Sequence, residues 1–317
     1  MISRVTTQTQ IRAAQTSLQS NLARLTQLQE QASSLTTLKN PSDDPARAAD
    51  SLAVRAQQTA VAQYTRNVDN GTGWLTTADA ALSATTNIMN QVRDLTVQGG
   101  NGSLSQTAKS ALATQLQGLK QDLLTQANTQ YLGRSVFAGT SDEAVAFKTT
   151  AAIPANGATP AIPATVTYTG TSGSTVERRV AADSTVRVDS NGSKIYGPDT
   201  NSVFTLIDNI SYALDPTTGT AGATPTATAS DYLATVDTRL TTVIAAQSDN
   251  GVRQAQIESA GAGLVTKAGT LEAQRSGIED VDLAQAALDL KLQEVSYQAA
   301  LSVTAKVLQH TLMDFLQ

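Results

Sequence analysis

Near its end the chain reads VDLAQAALDLKLQEVSYQAALSVTAKVLQHTLMDFL, which occupies residues 281–316. Small and aliphatic residues recur there at a mean spacing of about 3.7 positions, which is typical of one face of an amphipathic helix. The segment contains no proline that would end such a helix. We therefore predict a helix over about residues 279–316. Its apolar stripe consists of Val281, Ala284, Leu288, Leu292, Val295, Ala299, Val303 and Val307.

The beginning of the chain carries a similar pattern, which predicts an amphipathic helix over about residues 2–38. On a heptad grid its apolar residues fall on the two seam positions of a coiled coil. Asn21 is the polar exception within this seam, and the other faces carry mainly Gln, Ser and Thr. One seam position holds Ile11, Leu18, Leu25 and Ala32, and the other holds Ala14, Leu28 and Leu35.

The two ends of the chain carry opposite net charge, +3 over residues 1–40 and −4 over residues 279–317. Opposite charge favours pairing the two ends over pairing either end with its own copy. The alternative is that both helix faces are solvated and that their net charges differ in sign only by chance. One isolated helix buries too little apolar surface to offset the entropy lost on ordering it. We therefore expect both ends to be disordered in the free monomer and to fold against partners.

Composition excludes several classes of function. The 317 residues include no cysteine, one histidine and only 4% aromatic residues. Without cysteine there is no disulfide framework, thiolate zinc site or cysteine nucleophile, and His310 alone makes no histidine metal site. A net charge of −5 argues against a nucleic-acid partner. No segment approaches the ~20 apolar residues of a membrane span. We expect no catalytic residue, cofactor, metal or membrane insertion.

The sequence between the two ends predicts further helices and a short β-rich region. Helical patterns cover about residues 45–98, 104–131, 201–214 and 230–275, and Asn70-Gly71-Thr72-Gly73 is expected to kink or interrupt the first of them. Ser103 is the predicted N-cap of the second. Alternating segments predict strands at about 164–169, 175–181 and 184–189, and Asn191-Gly192 indicates a hairpin turn.

These elements predict an α+β, mainly α fold. It consists of a long helical bundle and a terminal coiled coil formed by both chain ends, with a small β-rich inserted domain. Six of the eight prolines lie between residues 154 and 225, which marks the insertion. The predicted domains are residues 1–40 with 279–317 for the coiled coil, 41–140 with 230–278 for the α-helical bundle, and 141–229 for the insertion.

The adjacent carboxylates Asp43 and Asp44 lie at the boundary between the first two predicted domains. They suggest either an acid–base or metal-binding pair, or the start of a helix, whose free N–H groups favour a carboxylate. The proline that follows fits the second interpretation, because proline is common at the first helical position. We therefore predict that Asp44 caps a helix that begins at Pro45.

Three segments carry a resemblance to a known family. They are NPSDDPARAAD at residues 40–50, QVRDLTVQGGNG at 91–102 and the C-terminal segment quoted above. In this order they resemble the flagellin superfamily, and within it the subunits that join the flagellar hook to the filament. The likeness covers about residues 1–140 and 230–317. Filament flagellins typically lack the prolines on both sides of Ser42-Asp43-Asp44, and they tend to end in a proline-containing segment that is absent here.

The resemblance implies a structural, non-enzymatic subunit that is exported through the flagellar type III apparatus and lies outside the cell. Implied partners are further copies of the chain in a ring or tube, the neighbouring hook-associated protein and flagellin, and an export chaperone on the C-terminal helix. A filament flagellin, or a coiled-coil signalling protein or surface adhesin, remains an alternative. The residues expected to form the assembly seam are Ile11, Leu18, Leu25, Leu28, Leu35, Val281, Leu288, Leu292, Val295, Ala299 and Val303.

Overall fold

The computed structural model describes residues 2–38, 40–42, 44–151, 164–171, 173–216 and 228–313. Helices dominate, and the strands form three small antiparallel two-stranded sheets, which confirms the predicted mainly α fold class. The helices are α1 (Ile2–Ser34), α2 (Pro45–Gly99), α3 (Gln106–Ala127), α4 (Gly192–Ile195), α5 (Val203–Leu214), α6 (Leu233–Glu279) and α7 (Leu283–Met313). The strands are β1 (Gln130–Tyr131), β2 (Arg134–Ser135), β3 (Phe147–Thr150), β4 (Thr165–Tyr168), β5 (Glu177–Arg179) and β6 (Thr185–Arg187).

The chain divides into two compact units, one formed by residues 1–60 with 266–317 and the other by residues 61–265. The boundary between them falls inside α2 and α6. The proposed division into three domains, with limits at 40/41, 140/141, 229/230 and 278/279, stays a prediction. Within the described ranges, no helix has both the length and the apolar character that crossing a bilayer requires.

The core of the second unit lies along the inner faces of the long helices. Buried residues recur on α2 at helical spacing, as at Leu75, Leu82 and Met89, and they continue on α3 at Leu116 and Leu123. Further buried residues on α6 are Val236, Val243 and Ile257.

The break predicted at Asn70-Gly71-Thr72-Gly73 is wrong, because α2 continues through these residues, whereas the kink stays a prediction. Both glycines permit close approach of other elements. A side chain at Gly71 would collide with Ile257 of α6, and one at Gly73 would collide with Tyr131 of β1. Packing against these neighbours outweighs the low helix propensity of glycine.

The middle region contains the strand pairs β3–β4 and β5–β6. Its core is an aromatic cluster in which Phe147 contacts Tyr168, Tyr196 and Phe204 at ring-centroid distances of 5.2–5.3 Å. The hairpin predicted at Asn191-Gly192 is wrong. Asn191 is instead the N-cap of α4, because its side-chain oxygen accepts hydrogen bonds from Ser193 N and Lys194 N.

Other predicted helix limits also shift. The cap of α3 is Ser105, whose hydroxyl accepts a hydrogen bond from Ala108 N, whereas the Ser103 hydroxyl donates to Asn101. The first helix ends at Ser34 rather than near residue 38, and the last begins at Leu283 rather than near 279. Asp282 sets that later start, because its carboxylate accepts hydrogen bonds from Ala284 N and Gln285 N.

Candidate assembly site

The terminal helices α1 and α7 pack against each other in antiparallel orientation within the first unit. Half-buried residues on α1 alternate at spacings of four and three, which is the pattern of a coiled-coil seam. The predicted seam residues Leu18, Leu25 and Leu28 belong to this face. The α1 residues that follow this pattern are Ala14, Leu18, Asn21, Leu25, Leu28 and Ala32. Half-buried residues at the same spacings on α7 are Ala286, Leu290, Gln293, Tyr297, Ala300 and Thr304.

Asn21, the polar exception in the predicted seam, has a partner on α7. The Nε2 group of Gln293 donates hydrogen bonds to the Asn21 backbone oxygen at 3.1 Å and to its side-chain oxygen at 3.4 Å. A polar pair inside an otherwise apolar seam disfavours other registers, because any slip would bury these groups without partners.

The predicted apolar stripe of α7 lies on the other side of the helix, away from α1. Leu288 is 67% exposed and Leu292 is 68% exposed, and Val295, Ala299 and Val303 are exposed as well. Leu288, Leu292, Val295 and Ala299 each follow a residue of the face that packs on α1 by two positions, which is about 200° around the helix axis. We call Leu288, Leu292, Val295, Ala299 and Val303 the outer stripe of α7. It is an apolar surface that the described part of the chain leaves uncovered.

Two other predicted seam residues, Leu35 and Val281, lie outside these two faces. Leu35 follows the end of α1 with φ +60° and is exposed, and Val281 precedes α7. The side chains of Ile11, Val307 and His310 lie outside the described part of the chain, as does Asp43.

A short antiparallel bridge joins the end of α1 to the connection between α6 and α7. Thr36 pairs with Asp280, and Val281 N donates to the Leu35 carbonyl oxygen at 3.1 Å. The backbone N–H and the hydroxyl of Thr37 both donate to the Glu279 carbonyl oxygen, at 2.7 and 2.8 Å. These bonds satisfy a carbonyl group that the last residue of a helix otherwise leaves without a partner.

The Glu279 side chain is the centre of a hydrogen-bonded cluster between α6 and α2. Arg55 donates to both carboxylate oxygens, from Nε at 2.7 Å and from Nη2 at 2.8 Å. Ser51 and Arg275 donate to the same carboxylate. Glu279 is buried, and the hydrogen bonds from Arg55 and then Ser51 lower its pKa to about 2. We call Glu279, Arg55, Ser51 and Arg275 the Glu279 cluster.

The start of α2 lies beside this cluster. Asp44 Oδ1 accepts hydrogen bonds from Ala46 N and Arg47 N, both at 3.1 Å, and Pro45 is the first helical residue. Arg47, in turn, donates from Nη2 to the Ile278 carbonyl oxygen at 2.6 Å. The capped end of α2 is therefore held against the last turn of α6.

The Glu279 cluster was not found from the sequence. One local signal was available, since Ser51 with Arg55 and Arg275 with Glu279 are pairs spaced by four residues on single helices. The sequence gives no signal that the two pairs face each other. No group of three or more His, Cys, Asp or Glu side chains suited to a metal ion occurs among the residues that the structure describes.

Family comparisons match the two parts of the chain that form these helices. The model of the bacterial flagellin N-terminal helical region matches residues 5–142, and that of the flagellin C-terminal helical region matches residues 233–316. Together they cover more than two thirds of the chain, in the expected order. The chain belongs to the bacterial flagellin family.

Relatives of this flagellin-family chain include hook-associated proteins. It is 32% identical to flagellar hook-associated protein 3 of Salmonella typhimurium (strain LT2) over 145 residues, which are 45% of the chain and 46% of the relative. It is 34% identical to flagellar hook-associated protein 3 of Escherichia coli (strain K12) over 119 residues, which are 37% of the chain and 38% of the relative. The matched region thus spans less than half the length of either relative.

Solved structures show the same fold. A flagellar hook-associated protein from Vibrio parahaemolyticus superposes with a TM-score of 0.61 at 20% identity, covering 75% of this flagellin-family chain and 100% of the other. Flagellar hook-associated protein 3 from Legionella pneumophila gives a TM-score of 0.57 at 15% identity, covering 71% and 98%. At these identities the likeness concerns the fold alone.

Proposed function

We propose that the chain is a non-enzymatic structural subunit of the bacterial flagellum that joins the hook to the filament. It is exported through the flagellar type III apparatus and assembled outside the cell. Its partners are other copies of itself in a ring or tube, the neighbouring hook-associated protein and flagellin. Before export, a chaperone covers the C-terminal helix. The names of two relatives and the family membership support this proposal.

The observation that carries the proposal is the outer stripe of α7. The opposite face of the same helix packs on α1, so the two faces serve different purposes. An exposed row of leucine and valine side chains is unfavourable in a free protein and typical of a surface that becomes buried in an assembly. We infer that Leu288, Leu292 and Val295 pack between subunits, whereas Leu18, Leu25 and Leu28 hold α1 on α7 within one subunit.

The test replaces Leu292, which is exposed in the free chain, by aspartate. Leu292→Asp should leave the folded chain intact, because Leu292 is 68% exposed, but it places a charge in the proposed subunit interface. We expect cells carrying only this variant to lose attached filaments and motility, while purified protein retains its circular dichroism spectrum. Normal filaments on Leu292→Asp cells contradict the proposal.

Ala287→Asp is the matched control. Ala287 is an exposed residue of α7 that belongs neither to the outer stripe nor to the face on α1, so attached filaments should persist. The amount of each variant in the culture medium is measured at the same time. If the Leu292→Asp protein is secreted in normal amounts, the defect lies in assembly. If the protein is retained in the cell, the defect lies in export or chaperone binding.

A filament flagellin is the second candidate, because polar flagellin F of Vibrio parahaemolyticus is 33% identical over 120 residues, which are 38% of the chain and 32% of that relative. Immunogold labelling of whole cells separates the two functions. A junction subunit labels only the base of each filament, whereas a flagellin labels its whole length.

A further inference from the structure

The turn between β1 and β2 carries the most exposed large apolar side chain in the described part of the chain. Leu132 is 78% exposed, and its φ is +49°, followed by +77° at Gly133. Two-residue hairpin turns with positive φ at both positions strongly favour Asn-Gly or Asp-Gly, because a larger side chain is strained there. Leucine at this position has an unfavourable backbone conformation and is exposed to water. Its presence indicates a contact outside its own chain.

The hairpin presents Leu132 on a rigid base. The ring of Tyr131 packs edge-on against the buried ring of Trp74, with 6.0 Å between centroids, and Ser135 is buried. The guanidinium group of Arg134 lies 6.0 Å from the centroid of the Trp74 ring. An apolar side chain and a positive charge therefore stand together on a preorganised turn, which lowers the entropy lost on binding.

A groove between α2 and α3 has the complementary character. Its volume is about 470 Å³, and the half-buried side chains of Leu95 and Leu119 line it together with the carboxylates of Asp94 and Asp122. No lysine or arginine is among the described residues that line it. The groove is open at Gly118, because a Cβ atom at this position would meet nothing within 4 Å. We call this surface the α2–α3 groove.

The hairpin cannot reach the groove of its own chain. Trp74 lies beside the hairpin and Leu95 lines the groove, and at 1.5 Å per residue they are about 30 Å apart along α2. Two complementary surfaces at different places on one molecule form a head-to-tail contact between copies, which repeats in rings and helical tubes.

We propose that Leu132 of one copy inserts into the α2–α3 groove of a neighbouring copy, with Arg134 facing Asp94 and Asp122. This inference rests on the proposed function, because it requires copies to stand side by side in an assembly. One leucine and a short turn bury much less than the ~1,200 Å² of a stable complex. The contact therefore forms only where other surfaces already hold the copies together.

The first test alters each side of the contact. Leu132→Asn relieves the backbone strain, so the Tm of the purified chain should rise by about 2–4 °C, while loss of the leucine should weaken the contact about tenfold. Gly118→Trp fills the groove, and Gly118→Ala is its control because alanine leaves the groove open. We expect fewer attached filaments with Leu132→Asn and Gly118→Trp, and normal numbers with Gly118→Ala. Normal numbers with both of the first two variants overturn the inference.

The second test detects the contact directly and uses the absence of native cysteine. Cells coexpress a Leu132→Cys copy and an epitope-tagged Gln115→Cys copy, and their flagella are treated with a short bismaleimide. Gln115 lines the groove, so we expect a cross-linked dimer that contains one copy of each kind. The control pairs Leu132→Cys with Ala255→Cys, on an exposed position of α6, and should give none. Cross-linking to position 255, or none to 115 in attached filaments, overturns the inference.

The outcome of the Leu292→Asp experiment separates this inference from the proposed function. If Leu292→Asp removes filaments but Leu132→Asn and Gly118→Trp do not, the hairpin contact is wrong and the junction function stands. If none of the three variants affects filaments, both are wrong.

Discussion

Arg55 holds Glu279 by two parallel hydrogen bonds of 2.7 and 2.8 Å, across 224 residues of sequence. The backbone carbonyl oxygen of Glu279 also accepts hydrogen bonds from the backbone N–H and the hydroxyl of Thr37. Glu279 therefore joins the end of α6 both to α2 and to the segment that follows α1. All three segments meet close to the end of α1 and the start of α7.

Replacing Glu279 by glutamine should destabilise the first unit. The substitution removes the charge that Arg55, Ser51 and Arg275 share, and a hydrogen bond to a charged group contributes about 1.5–3 kcal/mol. We expect the free energy of unfolding to fall by about 2 kcal/mol. Urea denaturation followed by circular dichroism measures it. Asp280→Asn, at the exposed neighbouring position, is the control and should change stability by less than about 0.5 kcal/mol. Equal losses from both variants contradict a specific role for the cluster.

The pH dependence of stability should report the same carboxylate. Hydrogen bonds from Arg55 and Ser51 lower the pKa of Glu279 to about 2, below its ordinary value of 4.5. A lowered pKa means that the unfolded chain binds the proton first as pH falls. The contribution is thus complete above pH 4.5 and is lost between pH 4.5 and about 2. The difference in stability between wild type and Glu279→Gln should shrink over this interval, and a constant difference would disprove the assignment.

Some features of this region follow from local sequence and others do not. The heptad grid finds the half-buried face of α1, because seam residues recur along one helix, and Asp44-Pro45 is a local start signal. The meeting of Arg55 with Glu279 has no local signal, since it depends on how two distant helices pack. In α7, the sequence pattern predicted the stripe of Leu288 and Leu292, and a second stripe on the opposite face was missed.

That second stripe carries the face on α1. Leu290 and Tyr297 are seven residues apart, as a heptad requires, but the other positions of this face hold alanine, glutamine and threonine. A hydrophobicity pattern therefore gives this second stripe less weight than the row of leucine and valine residues.

The hairpin prediction at Asn191-Gly192 was wrong for another reason, because asparagine favours helix caps as well as hairpin turns. Tertiary packing decides between these two structures.

The polar pair inside the α1–α7 seam should limit association of free chains. Asn21→Leu removes the side-chain acceptor of Gln293, keeps the backbone acceptor, and replaces the polar residue of the α1 face with an apolar one. We expect the variant to form oligomers at concentrations where the wild type is monomeric, because an apolar seam tolerates other registers and partners. Sedimentation velocity over a concentration series measures this. Gln27→Leu, at an exposed position of α1, is the control for added apolar surface, and equal association of both variants would contradict a role in specificity.

An ion pair between the buried Lys120 and the half-buried Asp208 in the second unit gives a further test. Lys120 Nζ lies 2.8 and 2.6 Å from the two carboxylate oxygens of Asp208, and it joins α3 to α5. Asp208→Asn leaves the lysine charge buried without compensation, so stability should fall by about 3 kcal/mol. The double variant Lys120→Met/Asp208→Leu should recover most of this loss, because it buries no charge. Urea denaturation distinguishes the two, and equal losses would show that packing rather than charge is responsible.

Opposite results are expected for two leucines, Leu25, which lies between α1 and α7, and Leu292, which lies on the outer stripe of α7. Leu25 is half-buried between the helices, so Leu25→Ala should weaken their pairing by about 1–2 kcal/mol. Leu292 is 68% exposed, so Leu292→Ala should leave the pairing unchanged. Limited proteolysis of the purified monomer measures the fraction of chains whose terminal helices are open.

If the α1–α7 pair is already formed in the free monomer, cleavage within residues 2–34 should be about tenfold faster in Leu25→Ala than in the wild type and unchanged in Leu292→Ala, since 1.4 kcal/mol changes an opening equilibrium tenfold. Rapid and equal cleavage of all three proteins would mean that the ends are disordered in the free monomer. The α1–α7 pair would then form only on assembly, together with the packing of the outer stripe. Slow cleavage of the wild type would instead establish the pair as a preformed unit whose outer stripe alone awaits a partner.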